Sequence, residues 1–106
     1  MNFIDIGLVS STFGNKGIIK LDIYYDVNFL YSRYKYLILR KKDLYLSYTI
    51  KNFYKKDDHY YFSLEEINNV FEAKKLVGFD VVIPENLKKE VKDSENELLC
   101  LDKFLD

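Results

Sequence analysis

Six short apolar runs, joined mostly by clusters of turn residues, leave this chain few folds to choose from. The runs fall at residues 3–10, 17–24, 36–39, 44–54, 59–64 and 79–83. In the second, Ile19, Leu21 and Ile23 share one face while Lys20 and Asp22 take the other, the period of a half-buried strand. In the fourth, Leu44, Leu46, Tyr48, Ile50 and Asn52 line one face. The third ends in the charged cluster Arg40-Lys41-Lys42-Asp43, and the polar turn Lys55-Lys56-Asp57-Asp58 joins the fourth to the fifth. The sixth stops at Pro84, which cannot donate to a strand ladder. The period changes only once. Val70, Ala73, Lys74 and Val77 recur at helical spacing, opened by a capping pair of Asn69 and Glu72 and closed by Gly78 where a left-handed cap belongs. Residues 26–32 read as an irregular connector or a single helical turn. Six strands, hairpin connections, one short helix and no βαβ rhythm predict an all-β chain, a small antiparallel barrel or sandwich. The 106 residues suit one domain, and 48% hydrophobic content supplies its core.

Three of the four glycines, Gly7, Gly14 and Gly17, crowd into eleven residues around the first turn. Glycine weakens a strand unless the backbone needs positive φ or a close approach, so the geometry of this hairpin is being specified. Gly14-Asn15-Lys16-Gly17 is not a phosphate loop, because the GxxxxGK[ST] spacing is absent and a strand follows instead of a helix. Two readings remain. The glycines supply turn conformations, or the tip, with its bare backbone and with Phe13 and Lys16, touches a partner. The second candidate site is Arg40-Lys41-Lys42, with Arg33 and Lys35 upstream. A basic run at a strand end is either a solvated turn or a phosphate contact.

Charge and composition narrow the function. A net charge of −1 argues against a free-standing nucleic-acid binder held by bulk electrostatics. Residues 1–56 carry ten Lys/Arg against four Asp/Glu, or +6, and residues 57–106 carry six against thirteen, or −7. That asymmetry predicts a basic and an acidic face, unless a barrel interleaves the halves. Most of the ten Tyr and eight Phe read as strand residues rather than a stacking platform for bases. His59 is the only histidine, so neither a His pair for a metal nor a base–nucleophile set exists, and an ordinary edge histidine is expected. Asp57-Asp58 and Glu65-Glu66 sit in turns or strand ends, where neighbouring carboxylates face solvent, leaving acid–base catalysis unsupported. Cys100 stands alone and points to a reducing, cytoplasmic setting. No run approaches the roughly 20 apolar residues of a transmembrane helix. No enzyme, catalytic residue, metal or cofactor is expected.

Two blocks together resemble the N-terminal domain of the ribosome maturation factor RimM family. The first is Ile6-Gly7-Leu8-Val9 with Thr12-Phe13-Gly14-Asn15-Lys16-Gly17-Ile18-Ile19-Lys20-Leu21, followed by Tyr36-Leu37-Ile38-Leu39. The second runs from Ile67 through Val70-Phe71-Glu72-Ala73 and Leu76-Val77-Gly78 to Ile83-Pro84. Phe13 stands where the family commonly has histidine, and Asn68-Asn69-Val70-Phe71 replaces an acidic cap followed by Arg and Glu. The resemblance implies a six-stranded antiparallel barrel of the translation elongation factor type over residues 1–86. It implies that residues 87–106 are a connector and the stub of a PRC-type second barrel. It further implies a non-enzymatic, monomeric factor that binds the head of the immature 30S subunit and assists 16S rRNA processing. The implied partners are 16S rRNA and ribosomal protein number nineteen of the small-subunit head, with no membrane involved. Much of the protein contact is credited to the second barrel. The candidate contacts are Phe13, Gly14, Asn15, Lys16 and Gly17 at the hairpin, and Arg40, Lys41 and Lys42. The alternatives are a flavin-reductase-like small barrel enzyme and a generic translation-associated interaction barrel.

Overall fold

The computed structural model describes residues 2–93. The strands are β1 (Phe3–Phe13), β2 (Ile18–Ile23), β3 (Tyr25–Asp26), β4 (Tyr36–Lys41), β5 (Leu44–Lys56), β6 (His59–Leu64), β7 (Asp80–Pro84) and β8 (Lys92–Asp93). Two short helices, α1 (Asn28–Arg33) and α2 (Val70–Lys74), and a 3-10 helix (Glu85–Glu90) complete the chain described. Six strands close an antiparallel barrel in the order β1-β2-β6-β5-β4-β7, and β3 pairs with β8. This order places β6 and β7, from the acidic half of the sequence, between strands of the basic half. The halves are interleaved and do not make two opposed faces.

Closing a sheet requires strands that bend, and β1 bends twice. Its register shifts between Asp5 and Gly7 against β7, and between Val9 and Ser11 against β2. Each bulge inserts a residue and bends the strand. The inward set accordingly changes parity, from Ile4 and Ile6 to Val9. Gly7 is required at the first bulge, because a Cβ there would lie 2.5 Å from the Asp22 carbonyl oxygen and 2.9 Å from Ile23 Cα. β5 carries a third bulge between Ile50 and Asn52. The single face expected from Leu44 to Asn52 breaks there. Ile50 is buried, Asn52 is exposed, and Phe53 turns inward to stack on Phe62, with ring centroids 5.2 Å apart.

Strand direction determines what closes the ends. β1, β4 and β6 run one way and β2, β5 and β7 the other, so the β2-to-β4 connection crosses one end and the β6-to-β7 connection the opposite one. α1 fills the first with Leu30 and Tyr31, resolving the 26–32 connector as a helical turn. α2 fills the second with Ala73, and Leu76 follows it into the core. The Asn69 side chain accepts from Glu72 N at 2.9 Å, as the capping pair predicts. The reciprocal bond falls one residue earlier, with Asn68 N donating to Glu72 Oε1 at 3.2 Å. Beyond Lys74 the helix tightens to three-residue spacing (Leu76 N to Ala73 O, 3.0 Å), and Gly78, at φ 95°, turns the chain into β7. Leu87 and Val91 pack on the edge of the core, and β8 pairs with β3. The tail expected at residues 98–105, with Cys100, lies outside the described residues. Among the described residues no helix is long and apolar enough to cross a membrane.

Candidate partner-binding face

Both candidate groups occupy the end of the barrel from which the β1–β2 hairpin, the β4–β5 turn and α2 emerge. They differ in what they are bonded to. At the hairpin, Phe13 ends β1 half-exposed and Gly14 (φ 72°) turns in open space. Asn15 and Lys16 are exposed. Gly17 is buried at φ 93°, and a Cβ on it would meet Asn69 N at 3.0 Å and the Ile67 carbonyl at 3.1 Å. The hairpin is therefore backed directly against the segment that caps α2, and only glycine fits at that contact. Lys16 makes no ion pair or hydrogen bond among the described residues. It borders two shallow clefts. One, of about 290 Å³, also includes Lys51, Ser63 and Asn68. The other, of about 270 Å³, includes Phe13, Gly14 and Asn15.

The basic run is partly neutralised inside the molecule. Arg40 Nη2 lies 3.5 Å from Asp80 Oδ2 on β7 and 3.7 Å from Asp5 Oδ2 on β1. Burial alone would lower the guanidinium pKa, but hydrogen bonds to Tyr45 and Asp80 hold it above its ordinary value. Lys41 Nζ sits 5.5 Å from the centroid of the Phe79 ring, and Lys42 is exposed in a left-handed turn conformation (φ 56°). Among the described residues no hydrogen bond, ion pair or ring contact joins this group to the hairpin. Arg33, at the opposite end, pairs with Glu90 at 3.6 Å.

The wall below the hairpin tip, formed by β2, β6 and β5, contains residues the sequence did not single out. Cross-strand register sets Lys20 opposite Tyr61, and Tyr61 opposite Tyr54. One row further on, His59 Nδ1 lies 2.6 Å from Asp22 Oδ1. The lone histidine is thus a cross-strand partner of an acid. Lys51 projects from the β5 bulge beside Lys16. No local motif marks these neighbours, because the pairings span up to 41 residues of sequence, from Lys20 to Tyr61, and depend on the position of the bulges.

The sequence pattern of the RimM N-terminal domain family matches residues 4–87. No curated protein matches significantly. A solved structure of a 16S ribosomal RNA processing protein, RimM, from Pseudomonas aeruginosa is similar over 80% of this chain, with a TM-score of 0.71 and 19% sequence identity. The likeness covers 52% of that protein, so this chain corresponds to about half its length. At that identity the likeness concerns the barrel fold, whereas the family match extends over most of the sequence. The chain belongs to the RimM family, and its barrel is the family's N-terminal domain.

Proposed function

We propose that this chain serves ribosome maturation as a non-enzymatic binding module that engages the immature small subunit and assists 16S rRNA processing. The family match over residues 4–87 carries the reading. On this account residues 1–86 are the binding barrel, and residues 87–106 lead toward a second, PRC-type barrel. The partners are 16S rRNA and ribosomal protein number nineteen at the subunit head, met in the cytoplasm by a monomer. Residues 13–17 make the principal contact. Phe13 is half-exposed, the Gly14 backbone faces open space, and Lys16 has no internal partner among the described residues. Lys41 and Lys42 are the secondary contact, while Arg40 is largely occupied by Asp5 and Asp80.

Co-sedimentation with 30S precursors at low salt tests this reading. The protein should pellet with precursors, and Lys16→Ala should weaken that association with the fold intact. Unchanged binding by Lys16→Ala would return the loop to a purely architectural role. Failure of the full-length protein to associate would remove the reading altogether.

A further inference from the structure

The outer wall of β5 and β6, with the end of β1, carries three aromatic rings that the core does not use. Tyr54 stacks on Tyr61 with centroids 5.0 Å apart and planes 12° from parallel. Phe13 meets Tyr61 edge-on at 5.2 Å and 71°. Tyr61 is only 9% exposed, whereas Tyr54 is 44% and Phe13 is 50% exposed. The middle ring therefore acts as a buttress that fixes two open rings. Lys20 lies opposite Tyr61, Lys56 follows Tyr54 two residues on along β5, and Lys16 and Lys51 line the clefts beside Phe13 and the hairpin; none of the four makes an ion pair among the described residues. The acid within this field, Asp22, is held by His59. Asp57 and Asp58 lie beyond it, in the β5–β6 turn.

We infer that this wall is a stacking platform for single-stranded RNA, with bases on Phe13 and Tyr54 and phosphates on the surrounding lysines. The inference rests on the proposed role in ribosome maturation and departs from the sequence expectation that most of the aromatics are strand residues and not a stacking platform for bases. Protein interfaces also use Tyr and Phe, but lysine is depleted in them. Here lysines border the rings on several sides, which favours a polyanion. A single strand is favoured over a duplex because only unstacked bases offer free π-faces to aromatic side chains. The rings are held in place before any ligand arrives, so little side-chain freedom is lost on binding.

The test measures binding of the full chain to a fluorescent 12-nucleotide oligouridine and to an RNA duplex of equal length, alongside co-sedimentation with 30S precursors. The oligouridine should bind with a log–log salt slope of about −3, as expected for four phosphate contacts on a single strand. The duplex should bind much more weakly. Tyr54→Ala should weaken oligouridine binding by roughly 5- to 100-fold. Tyr54→Phe, which keeps the ring, should bind like the parent, and both variants should melt like it. Oligouridine binding that survives Tyr54→Ala, or equal affinity for the duplex, overturns the platform. If precursors bind the protein but oligouridine does not, the platform also fails, and the maturation role stands. Loss of precursor binding in Tyr54→Ala without any oligouridine binding would make the wall a protein contact and would likewise overturn the inference. Oligouridine binding that is lost in Tyr54→Ala, with no precursor association, supports the platform and refutes the maturation role.

Discussion

Two faces of one barrel carry similar numbers of cations and use them in opposite ways. Where β1, β7 and β4 meet, Arg40 is clamped between Asp5 and Asp80, so its charge is spent on holding three strands together. On the wall of β2, β6 and β5, Lys16, Lys20, Lys51 and Lys56 face outward, and the nearby acid Asp22 is bound by His59. A basic run in the sequence therefore says little until the cross-strand partners are known. The face with the obvious run, Arg40-Lys41-Lys42, is the more neutralised of the two. The face with scattered lysines is left open to a ligand.

The sharpest way to break the comparison is to disturb the strand both faces share. Gly7→Ala places a Cβ 2.5 Å from the Asp22 carbonyl. It should cost about 3 kcal/mol, by analogy with overpacked cores. The melting temperature should then fall by roughly 10–20 °C. A change of a degree or two would mean that β1 and β2 can separate without loss. Gly17→Ala should act on the open face alone. A non-glycine residue held at φ 93° against Asn69 should lose about 2 kcal/mol in denaturant unfolding and weaken partner binding, while Arg40 stays clamped.

Arg40→Ala should have a smaller effect, about 1 kcal/mol of stability, because the guanidinium and both carboxylates remain partly in water. The loss should shrink as salt is raised, and precursor binding should match the parent. Least visible at neutral pH is Tyr31→Phe. Tyr31 is buried under Phe53 and Phe62, the inner side of the open wall, with no hydrogen-bond partner for its hydroxyl among the described residues. Burial pushes its pKa well above the ordinary value of 10, so the folded state keeps the proton longer than the unfolded chain does. Stability from this group is intact below about pH 10 and is lost as pH rises beyond it. Urea unfolding from pH 8 to 11 should show a gentler alkaline decline in Tyr31→Phe, with partner binding at neutral pH unchanged.

Elements set by local chemistry were legible in the sequence. The alternation of Ile19, Leu21 and Ile23, the Asn69 cap and the Gly78 turn all lie where their spacing places them. What escaped depends on contacts distant in sequence. Gly7 marks the first bulge of β1, as a glycine inside a strand suggests, but the second bulge of β1 and the one in β5 have no such residue to mark them. One of them moves Phe53 inward, exposes Asn52 and projects Lys51 toward Lys16. The acids that hold Arg40 are 35 and 40 residues from it. The candidate hairpin could be read from its glycines, but the wall beside it could not, because Phe13, Tyr54 and Tyr61 come together only when β1, β5 and β6 are in register.

The central claim is that the open face makes the principal contact with the partner and the clamped face only a secondary one. Its most direct test is co-sedimentation of two triple variants with 30S precursors, side by side at low salt. Phe13→Ala, Lys16→Ala and Lys51→Ala combined should reduce association by roughly tenfold or more through lost phosphate and ring contacts. Arg40→Ala, Lys41→Ala and Lys42→Ala combined should leave most of the binding in place. Loss confined to the second variant, or an equal loss in both, would contradict the account.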